Sequence, residues 1–164
     1  MEYWDVYDKN LNKMNKIVKR KDKLNNDEFH IVVNAWIKND NEEFLISKRV
    51  MNKSHGGKWE TTGGSILSGE GALEGVIREV KEELGVDLNK KDAILIGKTR
   101  RYFKNCPDIL FVYLFNYNID INNVIKQEEE VDDVMWASKE EILELIDRDM
   151  FEYNAFFYDV LNFE

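Results

Sequence analysis

Residues 63–86 read Gly63-Gly-Ser-Ile-Leu-Ser-Gly-Glu70-Gly-Ala-Leu-Glu-Gly-Val-Ile-Arg78-Glu79-Val-Lys-Glu82-Glu83-Leu-Gly85-Val86. Leu73, Val76, Ile77, Val80 and Leu84 recur at three- and four-residue steps, which predicts a helix from about Ala72 to Leu84 with one apolar stripe. Glu79, Glu82 and Glu83 are related by i,i+3 and i,i+4 steps and share a different face. Three carboxylates there repel one another, and Arg78, four residues before Glu82, relieves only part of that. Such a face is either a solvated surface or a site for a hard divalent cation, which takes oxygen ligands. Gly85 suits the left-handed position that ends a helix. Gly63, Gly64 and Gly69 allow a tight loop that returns Glu70 toward the acidic face.

Working outward, His30 to Ile37 and Glu43 to Arg49 are rich in β-branched and aromatic residues, and Asn39-Asp40-Asn41 between them predicts a hairpin. Residues 2–8 predict a short first strand. His55-Gly56-Gly57 and Thr61 to Ser65 read as loops. Ala93 to Tyr102 and Ile109 to Tyr117 are strand candidates joined by a turn at Lys104 to Asp108. Val134 to Ala137 is a short strand, and Ser138 caps a helix to about Asp147 with Glu141 completing a capping box. A last helix is expected from Phe151 to Leu161. Residues 9–23 carry Lys9, Lys13, Lys16, Lys19, Arg20, Lys21 and Lys23 and read as a solvated connecting arm, or as an electropositive rim for a phosphate-bearing ligand.

The chain has 164 residues, 32 acids against 23 bases, and a net charge of −9. Nothing divides it, so residues 1–164 are read as one domain. The acidic balance argues against a nucleic-acid partner. The longest strongly apolar run, Ile109 to Phe115, is too short to cross a membrane. The single Cys106 and the lack of a secretory leader pattern point to the cytoplasm.

Gly64, Glu70, Arg78-Glu79-Val80, Glu82-Glu83 and Gly85-Val86 stand at the spacing of a complete Nudix box over residues 64–86, which this stretch resembles. Seven fixed identities would arise by chance on the order of once in a million chains of this length. Trp4 to Asp8 and His30 also resemble a narrower group, the Nudix proteins similar to isopentenyl-diphosphate isomerases. The resemblance implies an α/β/α sandwich with a mixed sheet. It implies a hydrolase that cleaves a diphosphate in a nucleoside diphosphate linked to another moiety, using Mg²⁺ or Mn²⁺. Glu79, Glu82 and Glu83 would be metal ligands, Glu70 a more peripheral one, and Arg78 would orient the carboxylates. The general base is left open among Glu82, Glu83 and an acid outside the box, of which Glu130 matches best. Arg49 and Arg100, with Arg101 beside it, are candidates for substrate phosphate. Trp36, Trp59, Tyr102 and Phe103 either stack on a base or belong to the core. The partner is thus a small diphosphate compound, and a homodimer is left open. Two other functions share the scaffold. An isomerase would need a cysteine where Gly63 stands, and no base is evident in the sequence beside Cys106. A non-catalytic nucleotide-binding module would be marked by a degenerate box, and this box is intact.

Overall fold

The computed structural model describes residues 1–164. Its main sheet is built on two long strands, β3 (His30–Lys38) and β8 (Asp108–Asn116), which run parallel in continuous register from His30 opposite Asp108 to Lys38 opposite Asn116. Both sequences are nearly all apolar, as a strand covered on two faces must be. Ile31, Val33, Ala35 and Ile37, with Tyr113 and Phe115, point to one face. Trp36, Leu110, Val112 and Leu114 point to the other. Each fully buried aliphatic side chain contributes about 1.5–3 kcal/mol, so this pair of strands anchors both cores.

Around this pair stand β4 (Phe44–Arg49), β5 (Trp59–Glu60), β6 (Gly63–Ser65), β7 (Ala93–Arg101) and β9 (Val131–Ala137). The order is β5-β4-β3-β8-β7, with β6 added on β3 and β9 on β4. The hairpin β3–β4 has its turn at residues 39–43, but the two strands pair only at Lys38 and Phe44. Farther along, β3 pairs instead with β6, through Val32, Val33 and Asn34. The sheet is therefore split, and the cleft opens beside the acidic helix.

That helix, α1 (Ala72–Leu84), buries Val76, Val80 and Leu84 on the first face. Gly85 ends it at φ 66°, in the left-handed region. On the second face lie α2 (Lys139–Asp147) and the short α3 (Phe157–Leu161). The Ser138 hydroxyl accepts from the Glu141 amide at 3.2 Å, and the Glu141 carboxylate accepts from the Ser138 amide at 2.7 Å. The architecture is an α/β/α sandwich on a mixed sheet.

Several expectations are corrected. Gly63 to Ser65 is a strand rather than loop, because β3 leaves β4 and needs a partner. The last helix is only Phe157–Leu161, since Phe151 pairs with Trp59 as an isolated bridge and holds the preceding chain extended. The segment 9–23 is not a connecting arm. It contains β2 (Lys13–Lys19), which pairs antiparallel with β1 (Tyr3–Tyr7) in a separate two-stranded sheet. Lys13, Lys16 and Arg20 there are neutralised by Asp5, Glu28 and Glu2. No helix is long and apolar enough to cross a membrane.

Candidate active site

The acidic face of α1 is organised by Arg78. Its Nε and one terminal nitrogen donate to the two oxygens of Glu70, at 2.8 and 3.0 Å. Its other terminal nitrogen donates to Glu79 and to Glu82, both at 3.0 Å. It also reaches the Ser65 carbonyl at 3.2 Å, which ties α1 to β6. A planar guanidinium is suited to this, since its donors are fixed in a fork. The Glu70 carboxylate is further held by the Leu67 amide at 2.9 Å. Glu79 lies close against Gly64, where any Cβ would push the carboxylate out of its present place.

Glu83 is placed differently. It is largely buried, and its carboxylate accepts no hydrogen bond from the protein. Burial, and then the charges of Glu79, Glu60 and Glu130, push it up to about 8, while Arg49 opposes the rise. Burial likewise raises Glu79 against the opposing pull of Arg78, and raises Glu60 against that of Arg49. Four acids from α1, β5 and the residue preceding β9 thus crowd one low-dielectric region. Arg49, at the end of β4, donates to Glu60 at 2.9 Å and to the Ser54 carbonyl at 2.9 Å. Glu130 is paired with Lys53. A cavity of about 280 Å³ adjoins this cluster, between Arg49, Glu60, Gly63, Gly64, Arg101 and Tyr153.

A family model described as the NUDIX domain matches residues 28–157. The chain belongs to the Nudix family. A Nudix hydrolase of Listeria innocua is 32% identical over 146 residues, covering 87% of this chain and 83% of that one. The nucleoside triphosphatase NudI of Escherichia coli is 28% identical over 121 residues, covering 68% of this chain and 84% of its own. In three dimensions, the crystal structure of a Deinococcus radiodurans protein matches with a TM-score of 0.75 at 20% identity, over 98% of this chain and 97% of that one. This last is a likeness of fold.

The chain is accordingly a Nudix hydrolase, and enzymes of the Nudix family generally use divalent cations. The donor set here fits one. Glu79, Glu82 and Glu83 would offer oxygen donors only, two of them largely buried, and Glu83 has no competing donor. The side chains are not drawn together around one point, because Arg78 holds Glu79 and Glu82, and no three acids converge tightly enough to enclose an ion. An ion would compete with Arg78 for two of its three ligands.

The structure brings together Arg49, Arg78, Glu79, Glu82, Glu83 and Glu130, as the sequence suggested. Glu70 is nearby, but its oxygens face Arg78 and the Leu67 amide rather than the other acids. Arg100 is turned away from this Nudix site: it donates to the Lys9 carbonyl at 2.9 Å and lines a different cavity. Arg101 faces the site instead, held by Asp108 through two bonds of 2.7 and 2.8 Å. A bulge between Leu95 and Gly97 offsets the alternation of β7 by one residue, which periodicity alone does not reveal. Trp36 and Trp59 are core, whereas Tyr102 and Phe103 are exposed and outside the cavity. Glu60 and Tyr153 were missed. The signal for Glu60 was alternation: Trp59 points into the core, so its neighbour on a two-residue strand must point away.

Cys106 does have a base beside it, His30 Nδ1 at 4.0 Å. Burial pushes that thiol up and that imidazole down, so both are neutral at pH 7. His30 stacks on Trp4 at 4.1 Å and contacts the Pro107 carbonyl at 3.2 Å, away from the carboxylates.

Proposed function

We propose that this Nudix hydrolase cleaves the diphosphate linkage of a nucleoside diphosphate joined to another moiety, with Mg²⁺ or Mn²⁺ as cofactor. The observation that carries this reading is the burial of Glu83 within the field of Glu79, Glu60 and Glu130, beside a cavity edged by Arg49 and Arg101. An acidic site alone repels a diphosphate. A divalent cation held by Glu79, Glu82 and Glu83 would neutralise phosphate charge and make bound water more acidic. Arg78 orients Glu79 and Glu82, and Glu70 orients Arg78, so Glu70 acts one step behind the ligands. Arg49 and Arg101 are steered by Glu60 and Asp108 toward the cavity, where each offers N–H donors to phosphate oxygens. Glu83, whose oxygens accept no protein donor, could take a proton from the attacking water once a bound cation has displaced the proton that burial holds on it. Glu130 lies within its field and helps set its charge. We read the whole chain, 1–164, as one domain, and its single unpaired cysteine fits a reducing cytoplasm.

The nucleoside triphosphatase activity in the name of the E. coli relative supports nucleotides as the first compounds to try. The test is phosphate and pyrophosphate release from a panel of nucleoside di- and triphosphates, nucleotide sugars and dinucleotides, with Mg²⁺, with Mn²⁺ and with chelator. Metal-dependent hydrolysis of at least one compound is expected. Failure across the panel with either metal would leave the box without catalytic work and favour a binding role.

A further inference from the structure

The sheet β1–β2 lies wholly outside residues 28–157, the span of the family model. It nonetheless makes direct hydrogen bonds to the loop that enters α1. Asp5, in β1, has a side chain only 2% exposed. One of its oxygens accepts from the Ser68 hydroxyl and the other from the Gly69 amide, both at 2.8 Å. Lys13, on β2, closes the remaining side at 2.7 Å. Next to this, the Ser68 amide donates to the Tyr3 carbonyl at 2.8 Å, continuing the edge of β1 into the loop. Gly69 adopts φ 85°, in the left-handed region that glycine enters without strain. One residue later stands Glu70, which grips Arg78, and Arg78 in turn grips Glu79 and Glu82.

We propose that Asp5 is a positioning residue for catalysis: by holding Ser68 and Gly69, it sets the loop that aims Glu70 and Arg78 at the metal-ligating carboxylates. The inference rests on the proposed metal-dependent function for its catalytic consequence, but not for the loop geometry itself. A buried carboxylate is suited to the task because it accepts several bonds at once, and those from charged or backbone donors are the stronger kind. Burial alone would raise Asp5, yet the bonds from Lys13, Gly69 and Ser68 together hold it below the usual carboxylate range. It therefore stays charged and fully engaged at neutral pH. Alanine would remove both acceptor oxygens and leave the Ser68 hydroxyl and the Gly69 amide without this partner, whereas asparagine can keep both by reversing the bond to the Ser68 hydroxyl. Lys13 supplies a matched control, since removing it weakens Asp5's surroundings without touching either loop bond.

The experiment compares wild type, Asp5→Ala and Lys13→Met in the full chain. Backbone hydrogen exchange is read over residues 66–71, and the Mn²⁺ concentration giving half of the metal-induced thermal shift is read in parallel. Asp5→Ala should speed exchange over 66–71 at least tenfold and raise the Mn²⁺ half-saturation about fivefold or more. Lys13→Met should lower the melting temperature comparably while leaving both of those readouts near wild type. Wild-type protection of 66–71 in Asp5→Ala would overturn the proposal, as would equal changes in the two variants, which mark a purely structural role. If wild type itself shows no Mn²⁺ shift, the metal reading of the site fails, and exchange alone decides the positioning role.

Discussion

Replacing Glu83 by glutamine should make the metal-free protein more stable, and by an amount that depends on pH. Glu83 has an ordinary value of 4.5 and is pushed up to about 8 in the fold, first by burial and then by Glu79, Glu60 and Glu130. An acid raised in the folded state holds its proton more tightly there than in the unfolded chain. Between about pH 4.5 and 8 the native state thus binds more protons, and stability falls as pH rises through that window. At about 1.4 kcal/mol per pH unit, the full shift would correspond to roughly 4–5 kcal/mol, which sets an upper bound. Relaxation of the side chain and water at the mouth of the cavity reduce it, and about 2 kcal/mol is expected at pH 8. Glutamine keeps the shape, removes the charge, and can donate to a neighbouring carboxylate. The assay is urea unfolding in EDTA at pH 5 and pH 8 for wild type and Glu83→Gln. His30, depressed by its own burial, contributes with the opposite sign but equally in both proteins, so the difference between them reports Glu83 together with its coupling to Glu79, Glu60 and Glu130. The variant should match wild type at pH 5 and exceed it at pH 8. An identical pH slope in the two proteins would refute the buried, crowded carboxylate.

Other outcomes follow from the same geometry. Mg²⁺ or Mn²⁺ should raise the melting temperature, by about 2.7 kcal/mol of stability at a hundred times its Kd; Glu79→Ala should shrink that response, and equal shifts in both proteins would place the ion elsewhere. Arg78→Lys keeps the charge but loses the fork to Glu70, so kcat should fall by roughly 10²-fold with the fold retained, and near-wild-type turnover would remove Arg78 from the machinery. Arg101→Ala should raise KM for the diphosphate substrate several-fold while Arg100→Ala leaves it unchanged, and the reverse pattern would contradict the facing of β7. Cys106→Ala should retain most activity, because the thiol and His30 lie outside the cavity; a thousandfold loss would reopen the isomerase chemistry.

The acidic helix and its stops were legible because they rest on local signals. The apolar stripe, Gly85 in the left-handed region and the Ser138–Glu141 capping box each need only a few neighbouring residues. The long strands were legible from their β-branched and aromatic content. Three features were not, and each depends on distant partners. β2 alternates weakly and is full of lysine, and it is a strand because it pairs with β1 and because Asp5 and Glu28 neutralise Lys13 and Lys16. β6 is three residues with two glycines, and exists only because the split sheet leaves β3 an open edge. The exchange of Arg100 for Arg101 turns on one bulge. In the site, the box residues were found by spacing, whereas Glu60 and Asp5 act from elements whose position only the folded sheet defines.

The most direct test of the central claim, that the Glu79, Glu82 and Glu83 face is a metal-dependent hydrolytic centre, is the steady-state kcat of wild type and Glu83→Gln. It is measured on the best diphosphate substrate, with saturating Mg²⁺ and again in excess EDTA. We expect turnover by wild type only with the metal, and a kcat lower by roughly 10²-fold or more in the folded variant. Full hydrolysis in EDTA, or unchanged turnover by Glu83→Gln, would contradict it.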